Sequence, residues 1–234
     1  MLLVIDSATA ACSIALIEGD RLVDERHALV GRGHAEHLLP MIESLLGTRR
    51  PAAIAVDCGP GSFTGLRVGL AAAHGLAIGW QVPLSGYSSL AVIAAAAPPA
   101  ESRTGDGGDD QVAVALHGGH GQIFVQTYDR SPLAARDELR SLAPEDAAAV
   151  ITAQLVIGSG AEALVAARGW GQAAEALPRA ADVRLLPLAL RTMPPRPLYG
   201  RAPDAQPLDP KPLDAQPLEA KPLEAKPSEP GAVA

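Results

Sequence analysis

The stretch Gly59-Pro60-Gly61-Ser62-Phe63-Thr64-Gly65-Leu66-Arg67 follows the short apolar segment Ala53–Asp57 and opens a long segment rich in small residues. Its glycines and proline predict a sharp turn from a strand into a helix, with Ser62 or Thr64 as the helix N-cap. Residues 59–65 are called the glycine loop below. Free amides at this helix terminus, assisted by Arg67, could bind an anion, or the loop could serve only to position the helix. The stretch lacks the Gly-Lys-Ser/Thr of a Walker loop.

Composition and charge restrict the function further. The chain has 234 residues, is 48% hydrophobic but only 3% aromatic, and carries a net charge of −7. An acidic chain with few aromatic side chains is poorly suited to hold RNA on a broad basic surface, so we expect tRNA contact only indirectly. Cys12 and Cys58 lack metal-ligand spacing, and the first residues resemble a strand rather than a signal peptide. We therefore expect a cytoplasmic protein without a membrane span.

Hydrophobic periodicity predicts the order β-β-β-α-β-α-β-α for residues 1–98 and a weaker β-β-α-β-α echo in residues 111–203. Such a duplication is typical of the two-lobed actin-like fold, an α/β class with mixed sheets that is also described as ribonuclease-H-like. Residues 99–110, rich in Pro, Gly and Asp, are predicted to be a linker. The tail, residues 204–234, repeats a proline every five residues and is predicted to be disordered.

Two predicted helices of the first lobe carry more apolar and small residues than one core contact needs. In the helix predicted over residues 33–46, apolar side chains span a broad arc, and in the helix after the glycine loop small residues recur every four positions. These faces either pack on the chain's own sheet or meet a partner subunit. The residues predicted for a partner interface are His34, Leu38, Met41, Ile42, Leu45, Gly65, Arg67, Gly69 and Ala73.

A second candidate site lies where the first strand turns. An actin-like nucleotide binder places polar residues and a glycine there, but Ala8 stands at the glycine-like position, where a Cβ hinders close approach of a phosphate. The same polar side chains could instead satisfy backbone groups of the turn. The residues that could contact an anion or nucleotide are Asp6, Ser7, Thr9, Ser62 and Thr64. His34 and His37 have no third ligand, so no metal site is predicted.

Four stretches of the chain resemble the TsaB (YeaZ) family. These are residues 4–16, His34 with residues 38–42, residues 59–69, and residues 83–90. The resemblance extends over about residues 1–203, is strongest in the first 90, and leaves out the proline-rich tail.

The resemblance implies a non-catalytic scaffold subunit that pairs with the paralogue TsaD and the ATPase TsaE. Together they act in N6-threonylcarbamoylation of adenosine 37 in tRNAs that read ANN codons. Pairing through the first-lobe helices is implied, with a homodimer as the alternative in isolation, and ATP or ADP is expected only within the complex. TsaD has a metal-binding His-x-x-x-His motif, whereas Leu38 and Met41 follow His34 and His37 by four residues here. The alternative is an ATP-dependent enzyme of this fold, either a small-molecule kinase or a glycoprotease-like hydrolase.

Overall fold

The first sheet is built from the N-terminal half of the chain. The computed structural model of the protein describes residues 1–98 and 110–200. The strand order is β3-β2-β1-β4-β5, in which β1, β2 and β3 form an antiparallel meander and β4 and β5 run parallel to β1. The bounds are β1 Leu2–Asp6, β2 Ala11–Glu18, β3 Arg21–Leu29, β4 Ala53–Asp57 and β5 Leu84–Tyr87.

Three helices accompany this sheet, and they are α1 (His34–Leu46), α2 (Phe63–Trp80) and α3 (Ser89–Ala95). Side chains alternate between the two faces of β1, so that Leu3 and Ile5 pack with α1 and α2, whereas Val4 packs with α3. Both faces are therefore covered. This explains why β1 and β2 appear in the sequence as nearly continuous apolar runs.

The second sheet has the order β11-β10-β6-β7-β8, with β9 also paired to β7. Its core includes Val114 and Leu116, which join Val4, Tyr87 and Leu90 of the first half in one apolar cluster. The remaining elements are β6 Gln111–His117, β7 Ile123–Arg130, β8 Leu133–Ala135, β9 Arg140–Leu142, α4 Pro144–Val150, β10 Leu155–Ile157, α5 Ala161–Arg168, β11 Gln172–Ala174, a 3-10 helix Ala180–Leu185 and α6 Leu188–Arg191.

The predicted α/β class with mixed sheets and an actin-like fold is confirmed. The strands β8, β9 and β11 and the helix α6 were not predicted, because three- and four-residue elements carry too little periodicity to stand out. The sequence pattern predicts the last helix of residues 1–98 from Tyr87, but Tyr87 ends β5 and the helix begins at Ser89. Most of the predicted linker and the predicted tail lie outside the described residues, and the lobe boundaries stay a prediction. No helix in the described part of the chain is long and apolar enough to span a membrane.

Candidate functional site

The glycine loop leaves the end of β4 and packs directly on the turn between β1 and β2. The Ser62 amide donates to the carbonyl oxygen of Ala8, and the Ser62 hydroxyl oxygen accepts from the Gly65 amide at 3.3 Å. Ser62 is thus the N-cap of α2, one of the two predicted candidates. A Cβ on Gly61 would lie 2.0 Å from the Ala8 carbonyl oxygen, so only glycine permits this approach.

The small residues of α2 face the chain's own first sheet. The Ser7 hydroxyl donates to the carbonyl oxygen of Gly65 at 2.9 Å. A Cβ on Gly65 would come within 2.2 Å of the Ser7 carbonyl oxygen, and a Cβ on Gly69 within 2.3 Å of Ser7 Oγ. The stripe of small residues therefore lets α2 approach the β1–β2 turn closely.

This geometry corrects the predicted partner interface. Seven of its nine residues are buried within the chain, because the apolar arc of α1 and the small face of α2 pack on the first sheet. They are His34, Leu38, Ile42, Leu45, Gly65, Gly69 and Ala73. Met41 is partly exposed and Arg67 is exposed. The Arg67 guanidinium lies 3.6 Å from the centroid of the Phe63 ring.

The outer faces of α1 and α2 instead present other apolar side chains. Leu39 on α1 is 53% exposed and Ile78 on α2 is 77% exposed. Between the two helices lies a groove of about 600 Å³, called the helix groove below. Its lining residues are Leu39, Pro40, Ile42, Glu43, Leu46, Gly47, Arg49, Arg50, Leu76 and Trp80. Such a largely apolar groove could accept side chains from another helix.

The arginines of the helix groove are held by backbone carbonyl groups. Arg49 Nε donates to the Leu46 carbonyl oxygen at 3.1 Å, and Arg50 donates to the Trp80 carbonyl oxygen at 2.8 Å. Arg50 thus links the segment after α1 to the end of α2, whereas this bond of Arg49 stays at the end of α1.

The residues predicted to contact an anion do not form one open site. Asp6 and Ser7 are buried beneath the glycine loop, and the Ser62 hydroxyl is occupied by the Gly65 amide. The Thr9 hydroxyl oxygen accepts from the Ala11 amide at 3.3 Å, which leaves Thr64 exposed but isolated from the buried members. The turn and the loop thus bond to each other through Ala8 and Ser62 and through Ser7 and Gly65, as expected if these polar groups serve the turn itself.

A buried pair of carboxyl groups lies under the glycine loop. Asp57 Oδ1 accepts from the Gly59 amide at 2.8 Å, and Asp57 Oδ2 accepts from the Ser89 hydroxyl at 2.6 Å. Burial raises the pKa of Asp57 to about 6, and burial together with the charge of Asp57 raises the pKa of Asp6 well above its usual range. Sequence reasoning missed Asp57, although an aspartate that closes a buried strand before a glycine is a recognisable signal.

The two histidines of α1 have separate roles. His34 Nε2 lies 3.2 Å from the Ala11 carbonyl oxygen inside the fold, whereas His37 Nδ1 lies 2.7 Å from the Gly33 carbonyl oxygen at the surface. Across residues 1–98 and 110–200, no group of three or more His, Cys, Asp or Glu side chains could hold a metal ion.

Comparison with known proteins identifies the family. The family model described as "TsaD: tRNA N6-adenosine threonylcarbamoyltransferase" matches residues 28–176, more than half of the chain. The chain is 36% identical over 134 residues to the tRNA threonylcarbamoyladenosine biosynthesis protein TsaB of Escherichia coli strain K12, which covers 55% of each chain. The chain belongs to the TsaB (YeaZ) family. The TsaB of Haemophilus influenzae is 41% identical over 102 residues, 41% of this chain and 42% of that protein.

Solved structures of the family agree over a larger share of the chain. YeaZ from Pseudomonas aeruginosa superimposes with a TM-score of 0.68 at 29% identity, covering 85% of this chain and 98% of that one. A second Pseudomonas aeruginosa structure is described as an uncharacterized protein with similarity to peptidase YEAZ. It superimposes with a TM-score of 0.68 at 28% identity, covering 86% of this chain and 99% of that one. In sequence, the chain spans about half the length of the curated TsaB proteins it matches.

Proposed function

We propose that the chain is a non-catalytic cytoplasmic subunit in the synthesis of N6-threonylcarbamoyladenosine at position 37 of tRNAs that read ANN codons. It pairs with TsaD, and the ATPase TsaE joins the pair. Membership of the TsaB family and the printed names of the TsaB relatives support the pathway. The observation that carries the pairing is the apolar outer face of α1 and α2, which the chain does not cover with its own described residues.

The packing of the glycine loop supports a non-catalytic role. A catalytic phosphate site in this fold would need accessible amides and a free carboxylate beside the first turn. Here the Ser62 amide is bonded to Ala8, the Ser7 hydroxyl to Gly65, and Asp6 is buried. The loop serves to hold α2 at a fixed angle. We accordingly propose that the isolated chain uses no cofactor and that ATP or ADP is held only within the complex.

The partner contacts that we propose differ from those predicted from the sequence. The pairing surface we propose consists of Leu39, Ile78 and the helix groove, whereas the stripe of Gly65, Gly69 and Ala73 packs inward. Leu39 lines the groove and Ile78 is exposed on another side of α2, and each gains free energy when a partner removes it from water. In the absence of TsaD, the same surface is proposed to support a homodimer of the chain.

Mixing the purified chain with its cognate TsaD tests this proposal by size-exclusion chromatography with light scattering. We expect a heterodimer, and we expect Leu39→Glu and Ile78→Glu each to weaken it by about tenfold or more, since burying an unpaired carboxylate in an interface costs more than the roughly 1.4 kcal/mol that corresponds to a factor of ten. Matched controls are Val150→Glu and Leu188→Glu, which are 47% and 67% exposed on other elements. These should pair normally.

Two results would overturn parts of the proposal. If Leu39→Glu and Ile78→Glu pair with TsaD as tightly as the controls do, the outer face of α1 and α2 is not the interface. If the isolated chain binds ATP tightly and turns it over in calorimetric titration, the chain is an enzyme.

Gel-shift assays of tRNA with the chain alone should show no bound band, because the net charge of the chain is −7.

A further inference from the structure

Two aspartates end neighbouring parallel strands side by side. Ile5 of β1 is in register with Val56 of β4, so Asp6 and Asp57 follow at the same edge of the sheet. Their relative exposures are 0% and 2%, and neighbouring strands of a sheet lie only about 4.8 Å apart. Two like charges this close together in a buried site cannot both be stable.

The hydrogen bonds of the pair are unequal. Both oxygens of Asp57 receive strong donors, from Gly59 and from Ser89. The Tyr87 hydroxyl reaches Asp6 Oδ2 only at 3.3 Å, since it lies closer to the Ile5 carbonyl oxygen at 3.0 Å. Asp6 Oδ1 is buried and has no hydrogen-bond partner among the described residues. A bound proton would turn Asp6 into a donor toward the Asp57 carboxylate, which stays ionised by its own donors.

No ion pair between described residues involves Asp6 or Asp57. The titratable groups that interact with the pair include Cys12 from β2, Cys58 after β4 and Tyr87 from β5. His34 of α1 is bonded to the Ala11 carbonyl oxygen at 3.2 Å. Burial raises the pKa of Cys12 to about 11 and that of Cys58 to about 12, so both thiols are neutral.

We propose that Asp6 and Asp57 hold one proton between them, on Asp6, and that this proton fastens the glycine loop to the first sheet. Asp57 is the link, because it binds the Gly59 amide on one oxygen and Ser89 at the start of α3 on the other. Loss of the proton makes the two strand ends repel, which loosens the loop and the start of α2. The shared proton therefore makes the packing of α2 on the first sheet depend on pH, whichever partner α2 contacts.

The sign of the pH effect follows from the raised pKa values. A carboxyl group whose pKa is higher in the folded than in the unfolded chain holds an extra proton when folded, so stability falls as the pH rises between the two values. For Asp57 this interval runs from 3.8 to about 6, and for Asp6 it extends further upward. The wild-type chain should therefore lose stability as the pH rises above 3.8, first with Asp57 up to about pH 6 and then with Asp6 at higher pH.

Three isosteric variants separate this device from ordinary acid titration. Asp6→Asn replaces the protonated carboxyl by an amide that can still donate to Asp57, so its urea midpoint should vary less with pH and exceed the wild-type midpoint at alkaline pH. Asp57→Asn removes the acceptor of the Gly59 amide or of the Ser89 hydroxyl. The urea midpoint of this variant should therefore be lower than the wild-type midpoint at every pH. Asp20→Asn, in an exposed turn, is the control and should follow the wild-type profile.

The decisive comparison is the slope of the urea midpoint against pH. A flattened slope in Asp6→Asn but not in Asp20→Asn supports the shared proton, whereas parallel slopes in wild type and Asp6→Asn overturn it. Should Asp6→Asn fail to fold, carbon-13 NMR of wild-type protein labelled at aspartate carboxyl carbons decides instead. One carboxyl resonance should keep its protonated position at neutral pH, and a spectrum with all aspartates ionised refutes the proposal.

Discussion

Substituting Gly65 by alanine should destabilise the isolated chain, because the position faces the chain's own backbone. The added Cβ would lie 2.2 Å from the Ser7 carbonyl oxygen, whereas ordinary contact begins near 3.4 Å. The helix and the turn must therefore separate by roughly 1 Å in a close-packed region. That movement also stretches the buried bond from the Ser7 hydroxyl to the Gly65 carbonyl oxygen, 2.9 Å long in the native fold.

The magnitude follows from three contributions. Overpacking costs about 1–3 kcal/mol, and weakening a buried hydrogen bond adds about 0.5–1.5 kcal/mol. The better helix propensity of alanine returns at most about 1 kcal/mol. The net expectation is a loss of about 2 kcal/mol in the free energy of unfolding, or roughly 1 M in the urea midpoint for a typical slope near 2 kcal/mol/M.

Gly75→Ala is the matched control in the same helix. A Cβ there meets nothing within 4 Å, and the position is exposed, so the substitution should stabilise the chain by about 0.5–1 kcal/mol. Urea unfolding of the wild type and both variants, followed by circular dichroism, gives the comparison. If the two alanine variants shift the midpoint in the same direction, α2 does not pack on the β1–β2 turn as described.

Two further predictions concern other close contacts. Gly69→Ala places a Cβ 2.3 Å from Ser7 Oγ, so adding Ser7→Ala should recover about 1 kcal/mol in urea unfolding, whereas strictly additive losses would contradict the contact. Arg168 donates to three backbone carbonyl groups and stacks 3.8 Å from the Trp170 ring, so Arg168→Ala should lower the free energy of unfolding by about 1–3 kcal/mol. Arg136→Ala, which breaks only an exposed ion pair, should change it by less than about 0.5 kcal/mol, and equal losses would refute this difference.

The sequence was sufficient for features that depend on neighbouring residues. Apolar alternation and turn residues predicted most strands of the first sheet, and the sequence limited the N-cap of α2 to Ser62 or Thr64, of which the structure has Ser62. A proline inside a helix ordinarily ends or kinks it, yet α1 begins at His34 and includes Pro40. The ring removes one amide donor and crowds the Glu36 carbonyl group, a cost that the packing of Leu38 and Ile42 outweighs.

The sequence could not assign the faces of α1 and α2. A spacing of four places Gly65, Gly69 and Ala73 on one side of a helix, but this pattern is the same whether that side meets the chain's own sheet or a partner. The contacts with Ser7 decide in favour of the sheet. The exposed apolar residues Leu39 and Ile78 became candidates only when the buried faces were known.

The family and the α/β class were therefore determined by the sequence alone, since motifs, capping and periodicity are local properties of the chain. The pairing of Asp6 with Asp57, the closure of the glycine loop over Ala8 and the outward face of α2 were decided only by the tertiary structure. Each depends on β1 lying beside β4, although 46 residues separate these strands. Contacts between residues so distant along the chain arise from packing of the whole sheet, which no local pattern specifies.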